Sequence, residues 1–227
     1  MSNFKNDLNS ENELAKFLDV NFYPQLIKKN YILNFERIYD KSLQRKGVDV
    51  ILHTKDNKTI TIDEKSSLHY LNKHLPTFAF ELSYLDKYKN THDGWLLDNS
   101  KITDFYALIW PNIIDKKYNK LIKEYGENQK LWQGVIKSKD FCNMEIWFIK
   151  KSELLSVLKD EYNLSKSELH NICTIIRKDP TNKIYNETKK FKFYISTSYT
   201  EKPINIIIWK KFLEYHSLAR KFKLEKL

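Results

Sequence analysis

The chain has 227 residues, is 41% hydrophobic and 14% aromatic, and carries 39 Lys and Arg against 29 Asp and Glu, a formal charge of +10. That apolar content suits a substantial core rather than a disordered chain, no apolar run approaches the roughly 18 residues that cross a bilayer, and the polar opening MSNFKNDLNSENE lacks a secretory pattern, so a cytoplasmic protein is expected. With only 4 Gly there is no P-loop or GxGxxG cradle, which argues against an ATP-driven enzyme, while the positive charge permits a polyanionic partner.

Ser10 is expected to cap a first helix through Leu18, with Glu13 three residues later completing a capping box and Leu14, Phe17 and Leu18 forming its apolar face. Residues 31–39, YILNFERIY, read as a first strand. Residues 48–52 and 59–65 are β-branched, apolar-rich runs, and Asp56-Asn57-Lys58 between them is turn chemistry, so the two should pair antiparallel. Side chains two apart on a strand share a face. Asp63 and Lys65 therefore point one way and Glu64 the other, and Asp49 can join the first pair across the ladder. Two carboxylates beside a lysine at the end of a strand pair suit a divalent cation holding a phosphate, with the lysine orienting the attacking water.

Phe78, Phe80, Leu82 and Tyr84 alternate with Ala79, Glu81 and Ser83, a strand period, with a helix starting near Thr77 as the alternative. Glu81, between Phe80 and Leu82, either lies on a solvent face or serves the site. His92-Asp93-Gly94-Trp95 reads as a tight turn, and residues 103–110 as a buried strand ending at Pro111. Helical periods follow at 116–125, 152–162 and 165–177, strands at 144–149, 191–196 and 204–209, and a last helix at 210–222. Asp179-Pro180-Thr181-Asn182 is a loop. Cys142 and Cys173 lie in no CxxC or Cys-His cluster and are expected as reduced thiols without zinc. His69 and His74, five apart, do not share a helix face for joint metal binding.

An acid on one strand followed by acid-x-Lys on the next resembles the PD-(D/E)XK nuclease superfamily. Asp49 falls 14 residues before Asp63, and Gln44-x-x-Gly47-x-Asp49-Val50 is similar to the run leading into the first catalytic acid in several branches of that superfamily. Val48 stands where the name-giving proline would be. Either Asp63 or Glu64 could be the ligand of the triplet, and strand alternation favours Asp63. The resemblance spans residues 14–110, and a helix followed by three strands is the opening order of that core.

The resemblance implies an α/β fold, with a restriction-endonuclease-like core of mixed central sheet and flanking helices over residues 1–111. Residues 112–227 would form a mixed α/β C-terminal extension, separate or packed into the same domain. It implies a metal-dependent DNA endonuclease of restriction, repair, recombination, or phage or mobile-element DNA processing. In that reading Asp49 and Asp63 hold Mg²⁺, with Mn²⁺ as substitute and the Glu64 backbone carbonyl as a third ligand, and Lys65 positions water or stabilises the transition state. Gln44 would hold the hairpin approach or contact the water. Glu13, with Glu11 as its alternative, and Glu81 are further acids, and Ser66, Ser67 and Tyr70 are donors to phosphate or sugar. The implied partner is DNA and not a membrane, with a homodimer as a candidate assembly. The alternatives are a DNA-binding protein of nuclease-like fold without catalysis, and an RNA-processing nuclease.

Overall fold

The computed structural model describes residues 2–181, 184, 185 and 188–224. In chain order the elements are α1 (Ser2–Asn21), α2 (Tyr23–Lys28), β1 (Asn34–Arg37), α3 (Lys41–Arg45), β2 (Val50–His53), β3 (Thr59–Ser66), β4 (Thr77–Leu85), β5 (Thr91–Asp93) and β6 (Phe105–Ile113). There follow α4 (Asp115–Tyr125), β7 (Phe141–Lys150), α5 (Lys151–Tyr162), α6 (Lys166–Lys178), β8 (Ile184–Tyr185), β9 (Phe191–Ile195), β10 (Ile204–Trp209), α7 (Lys210–Tyr215) and β11 (Ala219–Leu224). They build a mixed six-stranded sheet, ordered β1-β2-β3-β6-β7-β11, and an antiparallel five-stranded sheet, ordered β5-β4-β10-β9-β8.

Strand alternation divides the interior into two cores. On β6, Ala107 and Ile109 face a core shared with Leu14, Phe17 and Leu18 of α1 and Leu121 of α4. Tyr106, Leu108 and Trp110 face the other way, into a core with Phe78, Phe80 and Leu82 of β4 and Ile204, Ile206 and Ile208 of β10. The six-stranded sheet is thus a central layer, with α1, α2 and α4 on one face and the second sheet with α5, α6 and α7 on the other. A strand buried on both faces is apolar at nearly every position, and β6 shows it: residues 106–111 are all buried. Residues on either side of position 111 share both sheets, since β6 pairs with β7 and β4 with β10. Among the described residues, no helix is long and apolar enough to cross a membrane.

Several expectations need correction. The first helix does not begin at Ser10 but runs from Ser2 to Asn21. Ser10 lies inside it, fully buried, and its Oγ accepts the Gly134 N–H at 3.0 Å. Glu13 likewise accepts the Ser138 N–H at 2.8 Å. Both residues satisfy backbone donors, but of a segment over a hundred residues away. The first strand is only Asn34–Arg37, with Tyr31, Leu33 and Tyr39 exposed outside it. Thr91–Asp93 belongs to β5, paired with β4, and the turn comes only from Gly94 on. The strand through Trp110 continues past Pro111 to Ile113, with a register shift at that end. The expected 210–222 helix stops at Tyr215. Ser217 then takes a φ of 53°, and the chain returns as β11 along the β7 edge. The helical period there held for Phe212 and Leu213, whereas Leu224 enters the opposite core through sheet pairing. Thr181 ends the described part of the 179–182 loop, and Asn182 lies outside the described residues. Cys142 and Cys173 form no disulfide.

Ser10→Ala should cost about 1–3 kcal/mol, the penalty of a buried N–H left without an acceptor. Amide exchange should locate the loss at Gly134. Unchanged exchange at Gly134 with an equal loss of stability would contradict this assignment of the hydroxyl.

Candidate active site

The β2–β3 hairpin forms as its residues dictate. Val50 pairs with Ile62 and Leu52 with Ile60, and Asn57 takes the left-handed turn at φ 58°, a conformation that Asn tolerates better than most residues. Asp49 stands at the mouth of the hairpin, its N–H donating to Ile62 O at 2.8 Å and its carbonyl accepting from Ile38 N at 2.9 Å. Gly47 precedes it at φ 75°. A Cβ there would lie 2.5 Å from Thr103 Oγ1 and 3.2 Å from Asp63 Oδ2. Only a residue without a side chain lets this turn press against the strand that carries Asp63.

Beyond Val50 the ladder ends, and a side chain completes it: Asp49 Oδ2 accepts the Glu64 N–H at 2.8 Å. That bond holds the Asp49 carboxyl beside β3, within hydrogen-bonding reach of the Asp63 carboxyl. Asp63 is 2% exposed and its Oδ1 meets Lys65 Nζ at 2.6 Å. With both carboxyls ionised, its Oδ2 is buried without a hydrogen-bond partner among the described residues. Burial, reinforced by the negative charge of Asp63, raises the Asp49 pKa from its ordinary 3.8 to about 6. Burial alone would depress Lys65, but Asp63, Asp49 and Glu11 together raise its pKa, so it is a charged ammonium at neutral pH. The Nζ also lies 5.3 Å from the centre of the Trp95 ring, a cation–π distance.

The second sheet supplies a third acid. Glu81 on β4 is half-buried and its pKa is raised by desolvation, against the opposing pull of Lys65 and of a hydrogen bond from the Trp95 N–H. Gly94 makes this junction, because a Cβ on it would lie 2.5 Å from the Glu81 backbone. Glu81 stood out in the sequence as an acid between Phe80 and Leu82. Trp95 had no local signal, since its place depends on the turn after β5 folding back onto β4.

The remaining expected site residues separate. Glu64 points away from Asp63, as alternation requires. Its carboxylate accepts from Tyr23 Oη at 2.5 Å and from Arg37 Nη1 at 2.6 Å, and Arg37 also pairs with Asp19 at 2.7 Å. That side chain ties α1, α2 and β1 to β3, so only the Glu64 backbone borders the acidic pair. Gln44 Nε2 donates to the Ile38 carbonyl at 2.9 Å; it holds the approach to the hairpin. Glu13 is turned to Ser138 and Lys16. Glu11, two residues earlier and exposed on α1, is the α1 acid in the field of the site: desolvation by the packed atoms around it raises its pKa, Lys65 opposes this, and Asp49 and Asp7 add to it. Ser67 Oγ donates to the Ile109 carbonyl at 3.3 Å, Tyr70 is exposed, and Ser66 closes β3. His69 lies 3.6 Å from Asp7.

Comparison with family models, curated proteins and solved structures gives no match to this chain. Among the described residues no three His, Cys, Asp or Glu side chains converge as a ready metal cage. Two adjoining carboxyls, one with a buried unpartnered oxygen, nevertheless fit a divalent cation whose remaining ligands are backbone, water or substrate oxygens. Burial and the Asp63 charge together favour the protonated form of Asp49.

The pH dependence of stability tests that proton. The native state keeps it up to about pH 6, the unfolded chain only to about pH 4. Its stabilising effect is complete below pH 4 and is lost as pH rises through 6. In cation-free buffer, the stability of Asp49→Asn relative to wild type should rise by roughly 2 kcal/mol between pH 4 and pH 8, read by urea denaturation. Parallel curves for the two proteins would contradict the raised Asp49 pKa.

Proposed function

We propose that the chain is a metal-dependent DNA endonuclease of the PD-(D/E)XK superfamily, its six-stranded sheet and α1 forming a restriction-endonuclease-like core. The observation that carries this reading is the Asp49 to Glu64 N–H bond, which brings the acid of one strand beside Asp63, with the Lys65 ammonium 2.6 Å from the Asp63 carboxylate. A merely solvated polar face would not bury Asp63 to 2% exposure with an unpartnered oxygen, an arrangement that costs stability unless it serves a ligand.

Asp49 and Asp63, with the Glu64 carbonyl, would hold Mg²⁺ or Mn²⁺. The bound ion supplies Lewis-acid polarisation of the phosphodiester. Lys65 sets a fixed positive charge at the same point. It is pre-oriented by Asp63 and flanked by Trp95, so it offsets charge developing on the phosphoryl oxygens without reorganising during the reaction. Glu81 and Glu11, whose pKa values are raised and which feel the charge of Lys65, would be the acids to accept the proton of an attacking water. Glu64, locked by Arg37 and Tyr23, fixes the strand from behind. The net charge of +10 favours binding of the polyanionic backbone.

Plasmid and linear DNA should be nicked or cut by wild type with Mg²⁺ or Mn²⁺ and left intact with EDTA. Asp49→Ala, Asp63→Ala and Lys65→Ala should each lose at least about 100-fold in rate with unchanged circular dichroism. Wild-type rates in the folded variants would reject these residues, and binding without cleavage in wild type would make the protein a DNA-binding module.

Glu11→Gln and Glu13→Gln form a paired control on α1. The first should reduce cleavage with little change in melting temperature. The second should lower stability by about 1 kcal/mol and leave the rate alone. The reverse pattern would return the site acid to Glu13.

A further inference from the structure

A second charged feature lies one wall away from the acidic cluster. A cavity of about 280 Å³ opens between the loop before β6 and the starts of α5 and α6, and its lining includes Lys101, Lys150, Lys151, Lys166, Asp98 and Asp104. The acids are already engaged. Asp104 Oδ2 accepts from Thr61 N at 2.8 Å and from its hydroxyl at 3.0 Å, and Asp98 Oδ1 accepts from Ser100 N at 2.8 Å. Lys150, on the rim, pairs with Glu153 at 3.0 Å.

Among the described residues, the other three lysines meet no carboxylate. Lys101 Nζ donates to the Arg45 carbonyl and Lys166 Nζ to Asn99 Oδ1, each at 2.5 Å. Lys151 is 9% exposed, and its Nζ has the Asp98 carbonyl at 3.5 Å, the outer limit of a hydrogen bond. A buried ammonium with so little compensation is costly. Burial depresses its pKa, and the positive charges of Lys166 and Lys101 add to the effect against Asp98 and Asp63. The first turn of α5 opens on the same space, so its dipole adds to the positive field there.

We infer that this cavity is a phosphate-binding site, with Lys151 at its base and Lys101 and Lys166 as its arms. Its position suggests the occupant. The Lys101 Cδ and Asp63 Oδ2 lie 3.3 and 3.2 Å from a single point, the one a Gly47 Cβ would occupy. On the nuclease reading, on which this part rests, the group held is a phosphate of the strand being cut. The binding chemistry itself is independent of that reading, and a free phosphate would use the same donors.

Melting of the full chain, without divalent cation, tests the site with inorganic phosphate against chloride at matched ionic strength. Phosphate at about ten times its Kd should raise the wild-type melting temperature by about 3 °C. Lys151→Met, which keeps the aliphatic stem and removes the unpaired charge, should melt higher than wild type in chloride and gain nothing from phosphate. Lys166→Gln, at the cavity mouth, should weaken phosphate binding by about 10-fold while folding normally. Phosphate shifts of wild-type size in both variants, or no shift in wild type, would overturn the site.

The source is settled by fluorescence anisotropy with a single-stranded oligonucleotide carrying a 5′-phosphate and its 5′-hydroxyl twin. Preference for the first in wild type, lost in Lys151→Met, identifies a strand end. Equal binding of both, weakened in Lys151→Met, identifies an internal phosphate. Oligonucleotide binding indifferent to Lys151→Met, with the inorganic phosphate effect intact in wild type and lost in the variant, identifies a free anion. A chain that binds phosphate in this way and cleaves no DNA with Mg²⁺ removes the nuclease reading and keeps the site. A metal-dependent nuclease whose Lys151→Met variant binds phosphate normally does the opposite.

Discussion

Asp49 Oδ2 accepts the Glu64 N–H just where β2 has ended and β3 has not. A backbone donor there would otherwise face a missing strand, and a buried N–H without a partner costs stability. A carboxylate side chain takes the place of the absent peptide. The same bond that completes the ladder brings Asp49 against Asp63, so the acidic pair is a by-product of satisfying the sheet edge. Lys65 follows from the two-residue period of β3. The site is therefore preorganised by secondary structure rather than by flexible loops.

The opposite face of β3 supplies rigidity. Glu64 is clasped by Arg37 and Tyr23, and Arg37 by Asp19, so that strand and helices are joined through one nearly dry ionic network. Buried pairs of this kind contribute little net stability but strongly resist loss of a single member. Their value here is registration: a slip of β3 by one residue would exchange Asp63 with Glu64 and leave both charges without partners. The second sheet adds to the site from the other side, through Glu81, Trp95 and the Gly94 contact that joins them.

Much of this was legible in the sequence where local rules and tertiary demands agree. The β2–β3 hairpin, the alternation of Phe78, Phe80 and Leu82, and the amphipathic stretch with Leu169, Ile172 and Ile176 each carry one period that the fold keeps. Sequence reading failed where a residue had two uses for the same chemistry. Ser10 and Glu13 have the spacing of a capping box, yet their oxygens serve Gly134 and Ser138, partners no local pattern reveals. After Tyr215, edge pairing with β7 overrode a helical period that lacked a strong stop signal. Within the site, Asp63 and Lys65 share the two-residue period of β3, and Asp49 directly precedes β2, so the three could be read together. Glu11 was open as the alternative to Glu13, whereas Trp95 and the lysines around Lys151 come together only through the packing of distant elements.

The central claim is that Asp49 and Asp63 form one cation site at the mouth of the hairpin. Paramagnetic broadening by Mn²⁺ in the ¹H–¹⁵N spectrum of the full chain tests it most directly. Substoichiometric Mn²⁺ should first erase the amides of Asp49, Asp63, Glu64 and Lys65, spare the distant β9 strand, and lose this selectivity in Asp63→Asn. Broadening centred elsewhere, or the same pattern in the variant, would contradict the account.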